Sequence, residues 1–301
     1  MARATIRQAL AAESPLVTVL AHDALSARLI ERAGFRAFNI GGSTLLAARY
    51  ALPDIGLVGL GEMIDGMREI AAATSLPFIA DADDGYGDVK ATCRTVREYE
   101  RLGVGALLLE DQLRDHKKPR AERSHGVAER EVTENKIRAA LETRISSETL
   151  IFGRTDALGA VGLDEALIRA ERYLKVGADG VFIAGLRRME DFTIVAERLG
   201  GALLIAALFE GGEEPAPTVA ELGAIGFSQV TFPASIILRA TDAMMGGMEA
   251  IRQHASTGTP LKPFANNTSA RSLLDDAVEY AAWDGLTARF AGSKLEDSRI
   301  V

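Results

Sequence analysis

Cysteine is nearly missing from this chain. Cys93 is the lone one in 301 residues, so no disulfide framework can form within the chain. It falls inside a predicted helix and reads as a packing residue. Long apolar runs are missing too: nothing approaches the ~20 continuous apolar residues of a membrane span. Met1-Ala2-Arg3-Ala4-Thr5-Ile6-Arg7 lacks the apolar core of a secretory signal. These absences point to a reducing compartment, and the cytoplasm is the expected location. Basic charge is not in excess, since 34 Lys and Arg stand against 42 Asp and Glu for a net charge of −8. That argues against a nucleic-acid or membrane partner, but a local site can still take a small anion. No Gly-x-Gly-x-x-Gly follows the first strand-like run, which argues against dinucleotide binding.

What is present is a repeating α/β pattern. Strand-like apolar runs occur at 16–20, 37–40, 78–80, 106–109, 150–153, 180–184, 203–208 and 229–232. Between them lie helical patterns, clearest at 88–102, 129–144 and 164–176. Strands alternating with helices imply parallel βαβ units. Glycine follows a helical run at Gly34, Gly103, Gly177, Gly200 and Gly223, where a left-handed helix end would use it. The pattern predicts an α/β fold of eight units closed into a (β/α)8 TIM barrel. An open doubly wound sheet is the competing arrangement. A Pro, Gly and Asn-rich seam near 256–267 separates a barrel at 1–255 from a C-terminal helical extension at 256–301.

The densest chemical signal is Asp81-Ala82-Asp83-Asp84-Gly85-Tyr86-Gly87, directly after the apolar run Leu76-Pro77-Phe78-Ile79-Ala80. Carboxylates ending a buried strand are costly unless something cationic pairs with them. Strand alternation sends Asp81 and Asp83 to one side and Asp84 to the other. Two converging carboxylates suit a hard divalent cation such as Mg2+. Simple turn chemistry is the competing reading, because Asp and Gly are common in turns.

In a barrel, function gathers at the C-terminal ends of the strands. Those ends carry His22 and Asp23; Asn39, Gly41, Gly42 and Ser43; Glu110, Asp111 and Gln112; Arg154, Thr155 and Asp156; and Glu210 with two glycines. Gly41-Gly42-Ser43 either presents backbone N–H groups to an anion or forms a simple turn. Arg154 suits bidentate capture of a carboxylate, or else a structural pair with Asp156 or Glu110. Acids from three strand ends facing this arginine would form a constellation. The stretch 113–126 is basic, with His116, Lys117 and His125 among its residues, and is long enough for a lid. A solvated charged loop is its alternative, and His22 reads as structural.

In this order and spacing, Asp23-Ala24-Leu25-Ser26-Ala27-Arg28, Leu52-Pro53-Asp54, the Asp81 segment, Leu109-Glu110-Asp111-Gln112 and Gly153-Arg154-Thr155-Asp156-Ala157 resemble the isocitrate lyase/phosphoenolpyruvate mutase superfamily. The resemblance implies a barrel whose last helix is swapped between subunits in a dimer of dimers, a homotetramer. It implies Mg2+, with Mn2+ as a substitute, on Asp81, Asp83 and Glu110. Asn39, Gly41, Gly42, Ser43, Arg154 and Glu210 would bind a small carboxylate substrate. Asp54 and Arg154 would stand at the reacting centre, with His116, Lys117 and His125 supplied by the lid. The shared chemistry passes through the enolate of a 2-oxo acid.

The departures bear on substrate. Isocitrate and methylisocitrate lyases carry a Lys-Lys-Cys-Gly-His lid signature, and here His116-Lys117-Lys118-Pro119-Arg120 has no cysteine. Their Glu and Asn on strands six and seven align with Ala184 and Ala207, and Asn39 stands where many members have Tyr. Glu210-Gly211-Gly212 is retained, as in the mutase and malate-lyase branches. The expectation is a carbon–carbon lyase or decarboxylase of an oxaloacetate-like 2-oxo or 2-hydroxy dicarboxylate. Alternatives are phosphorus–carbon chemistry on phosphonopyruvate, a lyase of a substituted malate, and a barrel that binds a metabolite without turning it over.

Overall fold

Eight short apolar runs form eight parallel strands. They are β1 (Leu16–Val19), β2 (Phe38–Ile40), β3 (Phe78–Asp81), β4 (Ala106–Glu110), β5 (Leu150–Thr155), β6 (Gly180–Ile183), β7 (Leu203–Ala207) and β8 (Gln229–Phe232). The computed structural model describes residues 3–117, 126–211, 216–261 and 267–291. The sheet runs β1-β8-β7-β6-β5-β4-β3-β2. A bridge between Leu20 and Asn39, with Ala21 N–H donating to Asn39 O at 3.0 Å, joins its two edges. The sheet thus closes into the expected (β/α)8 barrel.

The helices are α1 (Ile6–Ala12), α2 (Ala24–Arg32), α3 (Gly42–Tyr50), α4 (Leu60–Ala72), α5 (Val89–Arg101), α6 (Arg130–Thr143), α7 (Ala157–Ala160), α8 (Leu163–Lys175), α9 (Met189–Arg198), α10 (Val219–Ala224), α11 (Ser235–Thr257), α12 (Asn267–Ala277) and α13 (Tyr280–Ala291). Gly34, Gly103 and Gly177 take positive φ after their helices, as expected. At the next two helix ends the left-handed residues are Gly201 and Gly226 rather than Gly200 and Gly223. Gly223 lies within α10, where its missing Cβ clears Pro15. Within the C-terminal extension, α12 and α13 are separated at Glu279, whose φ is 57°.

Alternation fixes what each strand sends inward. Leu16, Ile79, Leu108, Leu150, Phe152 and Ile205, from five strands, pack together as the barrel interior. The other side of each strand packs on the helices: Val181, Leu204 and Val230 join Leu167, Phe192 and Leu222. The middle of the interior also holds polar groups. Gln229 Nε2 donates to Thr18 Oγ1 at 2.9 Å and to Asn39 Oδ1 at 3.1 Å. The chain divides into two units, Met1–Thr241 and Asp242–Val301, with the division inside α11.

Candidate active site

The carboxylates gather at the C-terminal ends of β3 and β4. Asp81 ends β3 and Glu110 ends β4, with the Glu110 side chain 0% exposed. Asp83 joins them by a route that strand alternation does not describe. It lies beyond β3 in a left-handed turn, with φ 47°. Asp tolerates that conformation because its short side chain can bond locally. Here Asp83 N–H donates to Asp81 Oδ1 at 3.0 Å, and Asp83 O accepts from Glu110 N–H at 2.8 Å. Asp81, Asp83 and Glu110 each offer an oxygen within 4.8 Å of the others. Asp84 is outside this trio: its backbone O accepts from Lys136 Nζ at 2.6 Å, and its carboxylate lies between Lys136 and Arg114, 3.4 and 3.7 Å away. A buried tyrosine pair braces the turn: Tyr99 OH donates to Asp81 O at 2.9 Å, and Tyr86 OH meets Tyr99 OH at 3.0 Å.

Crowding three acids in a buried site makes their ionisation costly. Burial first, and the Glu110 charge second, push Asp81 up to about 6 and Asp83 up to about 7. Three cationic side chains answer them. Lys117 Nζ, on a side chain only 6% exposed, bonds to Asp83 and lies 3.0 Å from Glu110 and 3.6 Å from Asp54. Arg114 Nη2 meets Asp83 at 3.2 Å while Nη1 donates to Val58 O at 2.6 Å. Arg154 meets Glu110 at 2.9 Å and Asp81 at 3.7 Å. Its Nε and Nη2 grip Asp156 at 2.9 and 3.0 Å. Burial opposes the charge of both Lys117 and Arg154. For Lys117 the surrounding Glu110, Asp83 and Asp54 outweigh burial, and for Arg154 the neighbouring Asp156, Glu110 and Asp81 do, so both stay protonated far above neutral pH.

The residues present fit a divalent cation. Asp54, Asp81, Asp83, Asp84, Glu110 and Asp156 face Arg114, Lys117, Lys136 and Arg154, six acidic side chains against four basic ones among the described residues. The donors nearest the centre are all carboxylate oxygens, which hard cations such as Mg2+ take.

The other expected residues are distributed unevenly. Gly41 caps α3, and its first helical residues Gly42 and Ser43 open beside Asp54. A Cβ on Gly42 would come 3.4 Å from Asp54 Oδ2. Asn39 lies one layer deeper, buried with Gln229 and Thr18. Arg154 makes the structural pairs considered from sequence, with both Asp156 and Glu110. Two residues do not join the cluster. His116, in a short 3-10 turn at Arg114–His116, has its side chain 55% exposed and 3.8 Å from Asp115. Glu210 pairs with Arg239 at 2.5 Å and is 47% exposed, so the acid of the seventh strand end is not part of the constellation. His125 lies outside the described residues. Sequence reasoning placed Asp111 and Asp156 at strand ends and Arg114 in the basic stretch 113–126, but gave none of the three a role in the site.

The far side of the mouth is different. Inward positions on β6 and β7 are Gly180, Phe182, Ala184, Leu203, Ile205 and Ala207. None is ionisable, and Phe182 lies under the Arg154 guanidinium at 5.7 Å.

Residues 6–252 match the family described as phosphoenolpyruvate phosphomutase. The chain is 37% identical over 254 residues to 2,3-dimethylmalate lyase of Eubacterium barkeri, covering 84% of this chain and 87% of that protein. It is 36% identical to oxaloacetate decarboxylase of Pseudomonas fluorescens, covering 93% and 94%. Its fold overlays on oxaloacetate acetylhydrolase in complex with 3,3-difluorooxalacetate, with TM-score 0.84, 28% identity and 97% of both chains covered. With the barrel, the acidic trio at its mouth and these relatives agreeing, the chain belongs to the phosphoenolpyruvate mutase/isocitrate lyase superfamily and is an enzyme of the carbon–carbon lyase type.

Proposed function

We propose that this enzyme is a Mg2+-dependent decarboxylase or lyase of a small, oxaloacetate-like 2-oxo or 2-hydroxy dicarboxylate. The observation that carries this reading is the one-sided mouth. Charge is concentrated on β3 to β5, while the inward positions of β6 and β7 among the described residues, Ala184 and Ala207 included, carry no ionisable group. A substrate's carboxylate and 2-oxo group would bind on the charged side. The departing half would meet an apolar wall, which suits a group that leaves as neutral CO2. The relative named oxaloacetate decarboxylase supports the same reading.

Asp81, Asp83 and Glu110 would hold the cation, Mg2+ or in its place Mn2+. When bound, it would supply Lewis acidity toward the 2-oxo oxygen. The chain's own residues would do the rest. Arg154, fixed by Asp156, would hold a substrate oxygen through charge-assisted hydrogen bonds. The first-turn amides of α3 at Gly42 and Ser43 would receive the carboxylate, where the helix dipole favours an anion. Loss of CO2 leaves an electron pair on C3, and fixed donors lower the cost of the enolate that forms. Asp54 stands between α3 and Lys117, and we assign it to the reacting centre. The proton returned to C3 would come from water or from the lid, where Lys117 Nζ already reaches the cluster.

Incubation with Mg2+ and oxaloacetate, and separately with phosphonopyruvate, tests this reading. Pyruvate and CO2 from oxaloacetate without turnover of phosphonopyruvate supports it, and the reverse sinks it. A second reading, a lyase of a substituted malate, is favoured by the small side chains of Ala184 and Ala207, which leave room for methyl branches. 2,3-Dimethylmalate belongs in the same assay.

We also propose a cytoplasmic homo-oligomer, a dimer of dimers, in which 256–301 packs on a neighbouring subunit. Met248, Trp283 and Phe290 expose 58%, 66% and 60% of their surface, which supports a partner.

A further inference from the structure

Behind Arg154 lies a buried carboxylate for which the proposed chemistry has no use. Asp111 follows Glu110, and its side chain is 0% exposed. It accepts four hydrogen bonds: from Thr155 Oγ1 at 2.6 Å, Asp156 N–H at 2.9 Å, Tyr173 OH at 2.8 Å and Arg169 Nη1 at 3.1 Å. The first two donors are the two residues that follow Arg154 on the chain. The last two come from α8, on the outside of the barrel. Tyr173 reaches Asp111 only because residue 153 is glycine, since a Cβ there would lie 2.6 Å from Tyr173 Cδ2. Arg169 is itself held, Nε donating to Glu165 at 2.7 Å and Nη1 also donating to Ala128 O at 2.7 Å.

These contacts lead to the guanidinium. Asp111 fixes the backbone of Asp156, and the Asp156 carboxylate chelates Nε and Nη2 of Arg154. That leaves Nη1 directed at Glu110. Because the guanidinium is planar and rigid, a carboxylate that chelates one edge also sets the direction of the remaining Nη1. A misplacement of about 1 Å at such a group costs roughly 100-fold in rate. We propose that Asp111 is a positioning residue for Arg154, acting through Thr155 and Asp156, with Tyr173 and Arg169 of α8 holding Asp111 in place. The proposal rests on the reading of Arg154 as a group that binds the substrate.

The test measures oxalate binding in the presence of Mg2+ by calorimetry. It compares wild type with Asp111→Asn and Tyr173→Phe, each alone and in an Arg154→Lys background. Acting through Arg154, Asp111→Asn should weaken oxalate at least about tenfold and Tyr173→Phe about three- to fivefold. Both effects should fall below about twofold in the Arg154→Lys background. Equal losses in both backgrounds, or no loss in wild type, overturn the proposal. Tyr173→Phe removes one hydroxyl and keeps the ring, so it serves if Asp111→Asn does not fold. Crystal structures of the single variants form a separate arm. There the Arg154–Asp156 chelate should open or split into two rotamers, and an unchanged chelate overturns the proposal. If wild type fails to bind oxalate, the functional reading fails, and the crystallographic arm alone decides the positioning role.

Discussion

The ammonium of Lys117 sits among the carboxylates suited to a divalent cation, with Nζ 3.0 Å from Oε1 of Glu110. It also bonds to Asp83, so ammonium and metal would draw on the same oxygens. Two cations cannot share them without repulsion. Lys117→Gln should therefore bind Mn2+ more tightly, by about 5–150-fold if the coupling is the usual 1–3 kcal/mol. Paramagnetic resonance of free Mn2+ reads this directly. Weaker binding in the variant would show that Lys117 instead orders the carboxylates for the metal.

Asp83 does two jobs that substitutions can separate. It offers an oxygen to the cluster and holds a left-handed backbone at φ 47°. Asp83→Ala and Asp83→Asn should each lose Mg2+-dependent turnover by at least about 100-fold, the upper end for residues that only support a metal ligand. Asn tolerates the left-handed turn, so Asp83→Ala should be the less stable of the two by about 1 kcal/mol. Thermal melts without metal check the second half. Full activity in either variant would refute the assignment of Asp83 to the metal.

Stability of the metal-free enzyme should fall between about pH 5 and pH 7. Asp81 and Asp83 sit at about 6 and 7, above the ordinary 3.8. In this window the unfolded chain has released protons that the folded chain still holds. Stability therefore drops as pH rises, by at most about 1.4 kcal/mol per pH unit for each group. Glu165 works the other way: its bonds to Arg130 and Arg169 hold it at about 2, so its contribution is lost at lower pH. Saturating Mg2+ should flatten the fall, since a cation favours the ionised carboxylates. Melting temperatures at pH 5, 6 and 7, with and without Mg2+, test this.

The C-terminal unit should make the protein an oligomer. Met244, Met248 and Ile251 are all more than half exposed and recur at helical spacing on α11. Light scattering should give a tetramer for wild type and a smaller species for Met248→Glu combined with Trp283→Glu. A monomeric wild type would contradict the dimer-of-dimers proposal.

The sequence determined the strands and the barrel. Their apolar runs, helical punctuation and turn glycines are local patterns, and every strand appears within two residues of its expected place. It also marked Asp81, Glu110 and Arg154, because a charged residue ending a buried run is costly without a partner. Tertiary structure decided the partners. Lys117 enters the acidic cluster while its neighbour His116 turns to Asp115, and nothing in their shared basic stretch separates them. Glu210 is drawn to Arg239, one turn into α11. Asp83 reaches the site through a left-handed turn and not through strand alternation. Period and turn chemistry act between neighbours in the chain and can be read in order. The choice among several possible ion pairs depends on which charges the closed barrel brings within about 4 Å and how far water is excluded there.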